Sequence, residues 1–249
     1  MQALAGKTAI VTGGNSGIGF AIASRFMEAG ASVIVVGRRQ DAVDAAVQAL
    51  GSRASGLTGD VADLGTHDRV AALVAERFGK VDIYVANAGM NTITPSAAVG
   101  VDEYDVQFAT NTRAVFFGVQ KIVPVMRDGG AIVLVSSIAS HKVLDGHAVY
   151  AGSKAAMEAF ARSWALELKT RGIRVNVLSP GPVDTPILAK LGVAADARPA
   201  FETMMANAIP LGRMGRPEEL ASAALLLASD AGSFITGVNL RVDGGIALT

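Results

Sequence analysis

Short apolar and β-branched runs recur along the chain at residues 8–11, 32–36, 83–85, 131–135, 174–178 and 238–242. Most place apolar side chains at successive positions rather than at every second one, as strands buried on both faces of a parallel sheet do. Between the runs the period changes. Ile18, Ile22 and Phe26 recur at i, i+4 and i+8, while Met157, Phe160, Ala161, Trp164 and Leu168 mark one stripe of a long helix expected over residues 150–171. Pro217 followed by Glu218 and Glu219 reads as a helix start, with residues 220–228 as its body. Strands alternating with helices predict an α/β fold, a single doubly wound Rossmann-type domain over residues 1–249. Its mostly parallel sheet should carry helices on both faces.

One stretch breaks this rhythm. Residues 182–216 hold Pro182, Pro186, Pro199 and Pro210 beside Ile187, Leu188, Leu191, Met204 and Met205. A connection that long is usually functional or disordered, and its apolar content disfavours disorder, so it is expected to be a lid over a substrate. Composition then removes whole classes of function. The 22 basic and 22 acidic residues leave no net charge, and no basic run offers a footprint for nucleic acid or an electrostatic membrane anchor. No stretch of ~20 apolar residues occurs, and the apolar start around Lys7 is too short for a signal sequence, so a cytoplasmic protein is expected. There is no cysteine, which excludes disulfides, thiolate nucleophiles and cysteine-ligated metals. His67, His141 and His147 lack metal-ligand spacing, so the chemistry is expected to need no metal.

After the first strand comes Thr12-Gly13-Gly14-Asn15-Ser16-Gly17-Ile18-Gly19, leading into the first helix. Glycines at that junction let the backbone approach a diphosphate, and the helix N-terminus offers free N–H groups and a positive dipole end. An ordinary tight turn is the bland alternative, and placement after a buried N-terminal strand weighs against it. The T-G-x-x-x-G-x-G spacing is where the chain resembles the short-chain dehydrogenase/reductase family, and the likeness runs to Asp243-Gly244-Gly245. The resemblance implies an NAD(P)-dependent oxidoreductase whose Gly13, Gly17 and Gly19, with Asn15, Ser16 and Ile18 between them, hold the cofactor diphosphate. It further implies that Asp60 and Val61 meet the adenine, and that Asn87-Ala88-Gly89 is the family's N-A-G after the fourth strand. Pro180-Gly181 would close on the nicotinamide carboxamide through Val183 and Thr185.

Tyr150 and Lys154 stand four apart, so both project from one helix face. A phenol with pKa near 10 is a poor acid–base catalyst at neutral pH, and bringing it to neutrality takes ~4 kcal/mol of preferential phenolate stabilisation. A lysine cation at ~5 Å in an effective dielectric of ~20 supplies roughly 3 kcal/mol, and the charge of an oxidised nicotinamide can add the rest. Ser137, thirteen residues before Tyr150, stands at the family's serine position and can hydrogen-bond a substrate oxygen. Its neighbour Ser136 would face the other way, by strand alternation. Asn111 in Thr110-Asn111-Thr112 matches the family's fourth catalytic member, which holds water near the lysine. Each residue alone has a dull reading as packing, cap or surface charge, but four roles behind a phosphate loop favour catalysis.

The remaining expectations concern cofactor, substrate and partners. After the second strand, Gly37-Arg38-Arg39 lacks the carboxylate of NAD-preferring relatives, and Arg38 and Arg39 can bind a 2′-phosphate, so NADP is expected over NAD. The substrate is expected to be a small ketone or secondary alcohol, in a pocket lined by Ser137, Tyr150, His141, His147, Ile187 and Leu188. His67 is expected at an exposed helix start behind Thr66 as its cap. A homotetramer is implied by the resemblance, and by apolar surface on the Trp164 helix and the tail at residues 246–248. Two rivals stay open: a reductase of carrier-bound 3-oxoacyl groups, and a non-catalytic nucleotide-binding protein on the same fold. Lys121, Arg127, Arg162 and Arg213 are too scattered to define a carrier-docking patch.

Overall fold

The computed structural model describes residues 2–186 and 196–249. Seven strands form one sheet: β1 (Thr8–Thr12), β2 (Ser32–Gly37), β3 (Ala54–Thr58), β4 (Val81–Ala86), β5 (Met126–Val135), β6 (Arg174–Pro180) and β7 (Asn239–Val242). Their order is β3-β2-β1-β4-β5-β6-β7, and every pair is parallel. β1 and β4 are buried at every position, which is why their sequences run apolar without alternation. From β1 the chain winds outward to β3, then returns to β4 on the opposite side of β1. That reversal opens a crevice at the C-terminal strand ends.

Helices α1 (Gly17–Glu28), α2 (Gln40–Leu50) and α8 (Pro217–Ala228) cover one face; α3 (Leu64–Arg77), α4 (Val101–Phe108), α5 (Ala114–Ile122) and α6 (Ala148–Glu167) cover the other. Ile22 and Phe26 of the expected α1 stripe are fully buried between the sheet and α8. The helix expected over residues 150–171 begins two residues earlier and stops at Glu167. A short turn at Lys169–Arg171 follows, closed by Gly172 in the left-handed conformation with φ 61°. A third apolar cluster of Ile138, Ile209 and Ile246 lies beyond the sheet, with Met205 packed against it from α7 (Arg198–Ala208). Ile246 is thus a core residue, not part of an exposed tail.

Two features escaped the sequence pattern. β3 reads Ala-Ser-Gly-Leu-Thr and is only half buried, because it is an edge strand. A Cβ at Gly56 would sit 2.5 Å from Val43 Cγ1 of α2, so close packing there selects glycine over a β-branched residue. His67 is buried rather than exposed, with Nε2 2.9 Å from Val61 O. Asp63, not Thr66, caps α3 by accepting the Gly65 N–H at 3.1 Å. Burial lowers the pKa of His67, so it belongs to the packing of α3.

Candidate active site

The C-terminal ends of β1, β2, β4, β5 and β6 open onto a cleft of about 620 Å³. Its floor begins at the glycine loop. Gly13 takes φ +64°, and a Cβ at Gly19 would lie 2.2 Å from Gly13 O and 2.4 Å from Asn87 Nδ2, so bare backbone is obligatory. Ser16 caps α1 in an extended conformation without a side-chain hydrogen bond. Phe20 N–H donates back to Ser16 O at 3.1 Å, and the N–H groups before it lack a helical acceptor. A backbone cradle at a helix N-terminus fits an anionic diphosphate. Thr12 Oγ1 accepts the N–H groups of Asn87 and Ala88, both at 3.0 Å, and Asn87 Nδ2 donates to Thr12 O at 2.9 Å. Asn87-Ala88-Gly89 therefore fixes the loop while lining the cleft.

At the end beyond β2, Arg38 and Arg39 are exposed at the cleft rim. A Cβ at Gly37 would meet Asn15 Oδ1 at 2.5 Å, so the Asn15 amide fills the space from which a carboxylate at position 37 would emerge. Asp60 commits Oδ1 to the Ala62 N–H at 2.9 Å, so it both holds a turn and faces the cleft beside Val61. At the other end, Pro180, Gly181, Val183 and Thr185 line the wall after β6. Val183 bridges to Gly215, and a Cβ at Gly17 would lie 3.4 Å from Thr185 Cβ, so this segment packs directly on the glycine loop. Ile187 and Leu188 lie outside the described residues.

Tyr150, in the first turn of α6, and Lys154 one turn later both reach the cleft. Lys154 is buried, with Nζ donating to Val135 O at 2.9 Å and lying 6.0 Å from the Tyr150 ring centroid. Ser137 does not end β5, which stops at Val135. It opens the short turn Ile138–Ser140, where its Oγ accepts the Ala139 N–H at 3.2 Å, and it lines the cleft together with Tyr150. Asn111 sits in a π turn, Ala109–Arg113, a break of the kind common at functional sites. Its amide is committed to Met90 N–H (2.9 Å), Met90 O (2.8 Å) and Ser153 Oγ (3.0 Å). A Cβ at Gly89 would lie 3.2 Å from both Asn111 Oδ1 and Lys154 Nζ, which locates the two side chains around one point. Asn111 is fully buried and reaches the site through the loop it holds.

The electrostatics correct one expectation. Burial raises the Tyr150 pKa, with the Ser137 hydroxyl pulling the other way, and burial lowers Lys154 to about 8. Burial dominates both groups, so the roughly 3 kcal/mol expected from the lysine does not appear as a lowered phenol pKa.

The histidines divide. His147 precedes α6 and sets its ring against Tyr150, 6.3 Å between centroids. His141, expected in the pocket, turns away to Glu158 Oε2 at 2.8 Å and Asn239 Nδ2 at 3.0 Å, because a buried carboxylate there needs a donor. Neither Glu158 nor the Thr12 hydroxyl was singled out from sequence. The available signal for Glu158 was its i+4 spacing from Lys154 on the buried face of α6.

A parallel sheet with strand order 3-2-1-4-5-6-7, open at its reversal point onto a glycine cradle, defines a Rossmann-type α/β protein. Residues 13–247 match a family model described as enoyl-(acyl carrier protein) reductase. The chain is 42% identical over 249 residues to the oxidoreductase asL5 of Sarocladium schorii, spanning 99% of this chain and 98% of that one. It is 35% identical over 254 residues to a 3-oxoacyl-(acyl-carrier-protein) reductase of Thermotoga maritima, spanning 98% and 99%. A crystal structure of a short-chain dehydrogenase/reductase, glucose/ribitol dehydrogenase, from Brucella melitensis superposes with TM-score 0.92 at 30% identity over 98% of each chain. The chain belongs to the short-chain dehydrogenase/reductase family, whose members are oxidoreductases that use NAD(P).

Lys154 should titrate in the ligand-free protein with a midpoint near 8, read from its side-chain NMR signal against Lys154→Met. Between that value and the ordinary lysine value of about 10.4 the unfolded chain holds the extra proton, so the Lys154 contribution makes stability rise with pH across this window. A midpoint above about 10 contradicts the burial argument.

Proposed function

We propose that the protein moves a hydride between NADP and a ketone or secondary alcohol, with Tyr150 as the acid–base catalyst. The observation that carries this reading is the meeting of Ser137, Tyr150 and buried Lys154 at one end of a cleft whose other end is the bare-backbone cradle of α1. The residues present fit a dinucleotide: the glycine loop and α1 amides for the diphosphate, Asp60 and Val61 for the adenine, Arg38 and Arg39 for a 2′-phosphate. Val183 and Thr185 would hold the carboxamide. A bound nicotinamide supplies or takes up the hydride.

Tyr150 gives its phenolic proton to the substrate oxygen in reduction and recovers it in oxidation. Ser137 donates a hydrogen bond to the same oxygen, where negative charge develops. Lys154, anchored on Val135 O, keeps a cation behind the phenol, and Asn111 fixes the Gly89-Met90 loop that roofs the lysine. Of the segment at residues 182–216, expected as a lid within a single domain, residues 187–195 lie outside the described residues; in its described part, Ile209 joins Ile138 and Ile246 in an apolar cluster that supports a wall near Ser137. Of Lys121, Arg127, Arg162 and Arg213, three are engaged by carboxylates (Asp68, Asp82 and Glu219), which supports small-molecule delivery over a carrier protein.

Tyr150→Phe should lower kcat by at least about a hundredfold and leave cofactor affinity within about twofold, since only the proton donor goes. A panel of ketones and secondary alcohols followed by nicotinamide absorbance measures both. Retention of more than about a tenth of kcat removes Tyr150 from its role.

The wild type should show kcat/KM for NADP about tenfold to a hundredfold above NAD, from charge-assisted hydrogen bonds of roughly 1.5–3 kcal/mol at Arg38. Arg38→Ala should erase most of the difference. It is the cleaner variant, since Gly37→Asp would also displace Asn15. A wild type that prefers NAD overturns the Arg38 assignment.

Phe116, Tyr104 and Val106 are exposed on the α4–α5 face next to Phe160 and Phe117, and such a contiguous apolar patch supports assembly into a homotetramer. Light scattering at micromolar concentration should give four times the chain mass, and a monomer mass would exclude the assembly.

A further inference from the structure

Along α6, Tyr150, Lys154 and Glu158 follow one another at four-residue intervals, so one helix face carries all three toward β5. Glu158 is only 4% exposed and does not line the cleft. A carboxylate that deep needs donors, and among the described residues they come from one short stretch, residues 136–141. Ser136 Oγ donates to Oε1 at 3.1 Å, Ser140 Oγ donates to the same oxygen, and His141 Nε2 lies 2.8 Å from Oε2. The stretch carries Ser137 between the clamped residues. Ile138 of the same stretch is also held in the third apolar cluster and the Ser136 N–H donates to Leu178 O at 2.8 Å, while Ser140 Oγ lies 2.6 Å from Ser137 O and the His141 and Lys142 N–H groups donate to Ile138 O at 2.9 and 2.7 Å. The single Ser136 hydroxyl proton is shared between Glu158 Oε1 and Lys154 O, 3.2 Å away, as the Ser140 proton is between Oε1 and Ser137 O.

We infer that Glu158 is a positioning residue for the reaction: by gripping residues on both sides of Ser137, it sets the Ser137 hydroxyl against the Tyr150 phenol. The inference rests on the catalytic reading of Ser137 and Tyr150 above. Reacting groups lose rate steeply with displacement, of the order of 10²-fold for 1 Å, so a carboxylate that touches no substrate can still govern kcat. His141 Nε2 also lies 3.0 Å from Nδ2 of Asn239 on β7, a neutral side chain.

The test compares wild type, Glu158→Leu, Ser137→Ala and the double variant, using the best-turned-over ketone of the panel, together with amide exchange of residues 137–142 in the ligand-free protein. Glu158→Leu is expected to lower kcat at least about tenfold with cofactor KM within about twofold, and to speed exchange at Ala139, His141 and Lys142. In the Ser137→Ala background, itself slowed by about 10²–10³-fold, the further loss should be under about twofold. Glu158→Gln keeps an acceptor for both serines and should restore at least about a third of kcat.

Equal losses in both backgrounds, or unchanged exchange, mean that Glu158 only supports the fold, and overturn the inference while leaving the proposed function intact. A fully active Ser137→Ala instead overturns the serine's role, and this inference with it. Should Glu158→Leu fail to fold, Ser140→Ala makes the same comparison. About a threefold loss of kcat that vanishes without Ser137 supports the clamp, and no loss overturns it.

Discussion

Thr12 Oγ1 donates to Val85 O at 3.3 Å and accepts the Asn87 and Ala88 N–H groups, so one hydroxyl joins the ends of β1 and β4 where the strand order reverses. A crevice between two diverging crossovers leaves backbone groups at the strand ends without ladder partners, and a buried unpaired amide costs about 1–3 kcal/mol. Thr12 meets that demand from inside the protein. Asn87 then uses its amide on Thr12 O and Gly13 O, which holds the glycine loop open at the one place where α1 presents its N-terminus. The cradle, the Gly89-Met90 loop and hence the surroundings of Lys154 all hang on this seam. An apolar side chain of the same shape at position 12 would keep the packing and lose the crevice.

The second organising element is α6, which serves as a ruler. Its four-residue repeat places Tyr150, Lys154 and Glu158 on one face, each meeting a different part of the β5 exit: the Ser137 hydroxyl, Val135 O, and the hydroxyls of Ser136 and Ser140. Burial makes this arrangement electrostatically uncomfortable. The lysine is pushed down to about 8 and the phenol upward, so neither is stabilised in its charged form by the protein alone. Such tension fits a site that must trade a proton at a chosen moment, since a phenolate fully stabilised at rest would be a poor acid.

Much of this was legible in the chain because the constraints act locally. A doubly buried strand runs largely apolar, as the middle of β1 does, and the Gly19 that clears space for Gly13 O cannot be exchanged for another residue. What escaped notice depends on long-range partners. β3 could read Ala-Ser-Gly-Leu-Thr because an edge strand faces a single helix, with Val43 occupying the space above Gly56. His67 looked like a surface residue beside Thr66, yet the cap fell to Asp63 and the ring turned inward to Val61 O. His141 was expected to face the substrate by proximity in sequence, and Glu158, seventeen residues later, drew it elsewhere. Ser137 lines the cleft with Tyr150, but strand alternation does not account for its position: β5 has already ended, and its hydroxyl caps the turn Ile138–Ser140.

The two ends of the cleft differ in kind, and this explains why one is written as a motif and the other is not. Around the glycine loop, recognition runs through backbone amides, fixed φ angles and charged groups, each of which tolerates few residue types. On the far side, the wall near Ser137 rests on Ile138, Ile209 and Ile246, with Met205 and Met214 against them. These contacts are apolar and adaptable, and many residue combinations of equal volume fill the same space. Discrimination by such a wall is worth only about 1–3 kcal/mol per methylene. On the proposed function, substrate preference would then be a sum of small shape terms, and exchanging side chains in that cluster would leave the Thr12 seam and the α6 ruler in place.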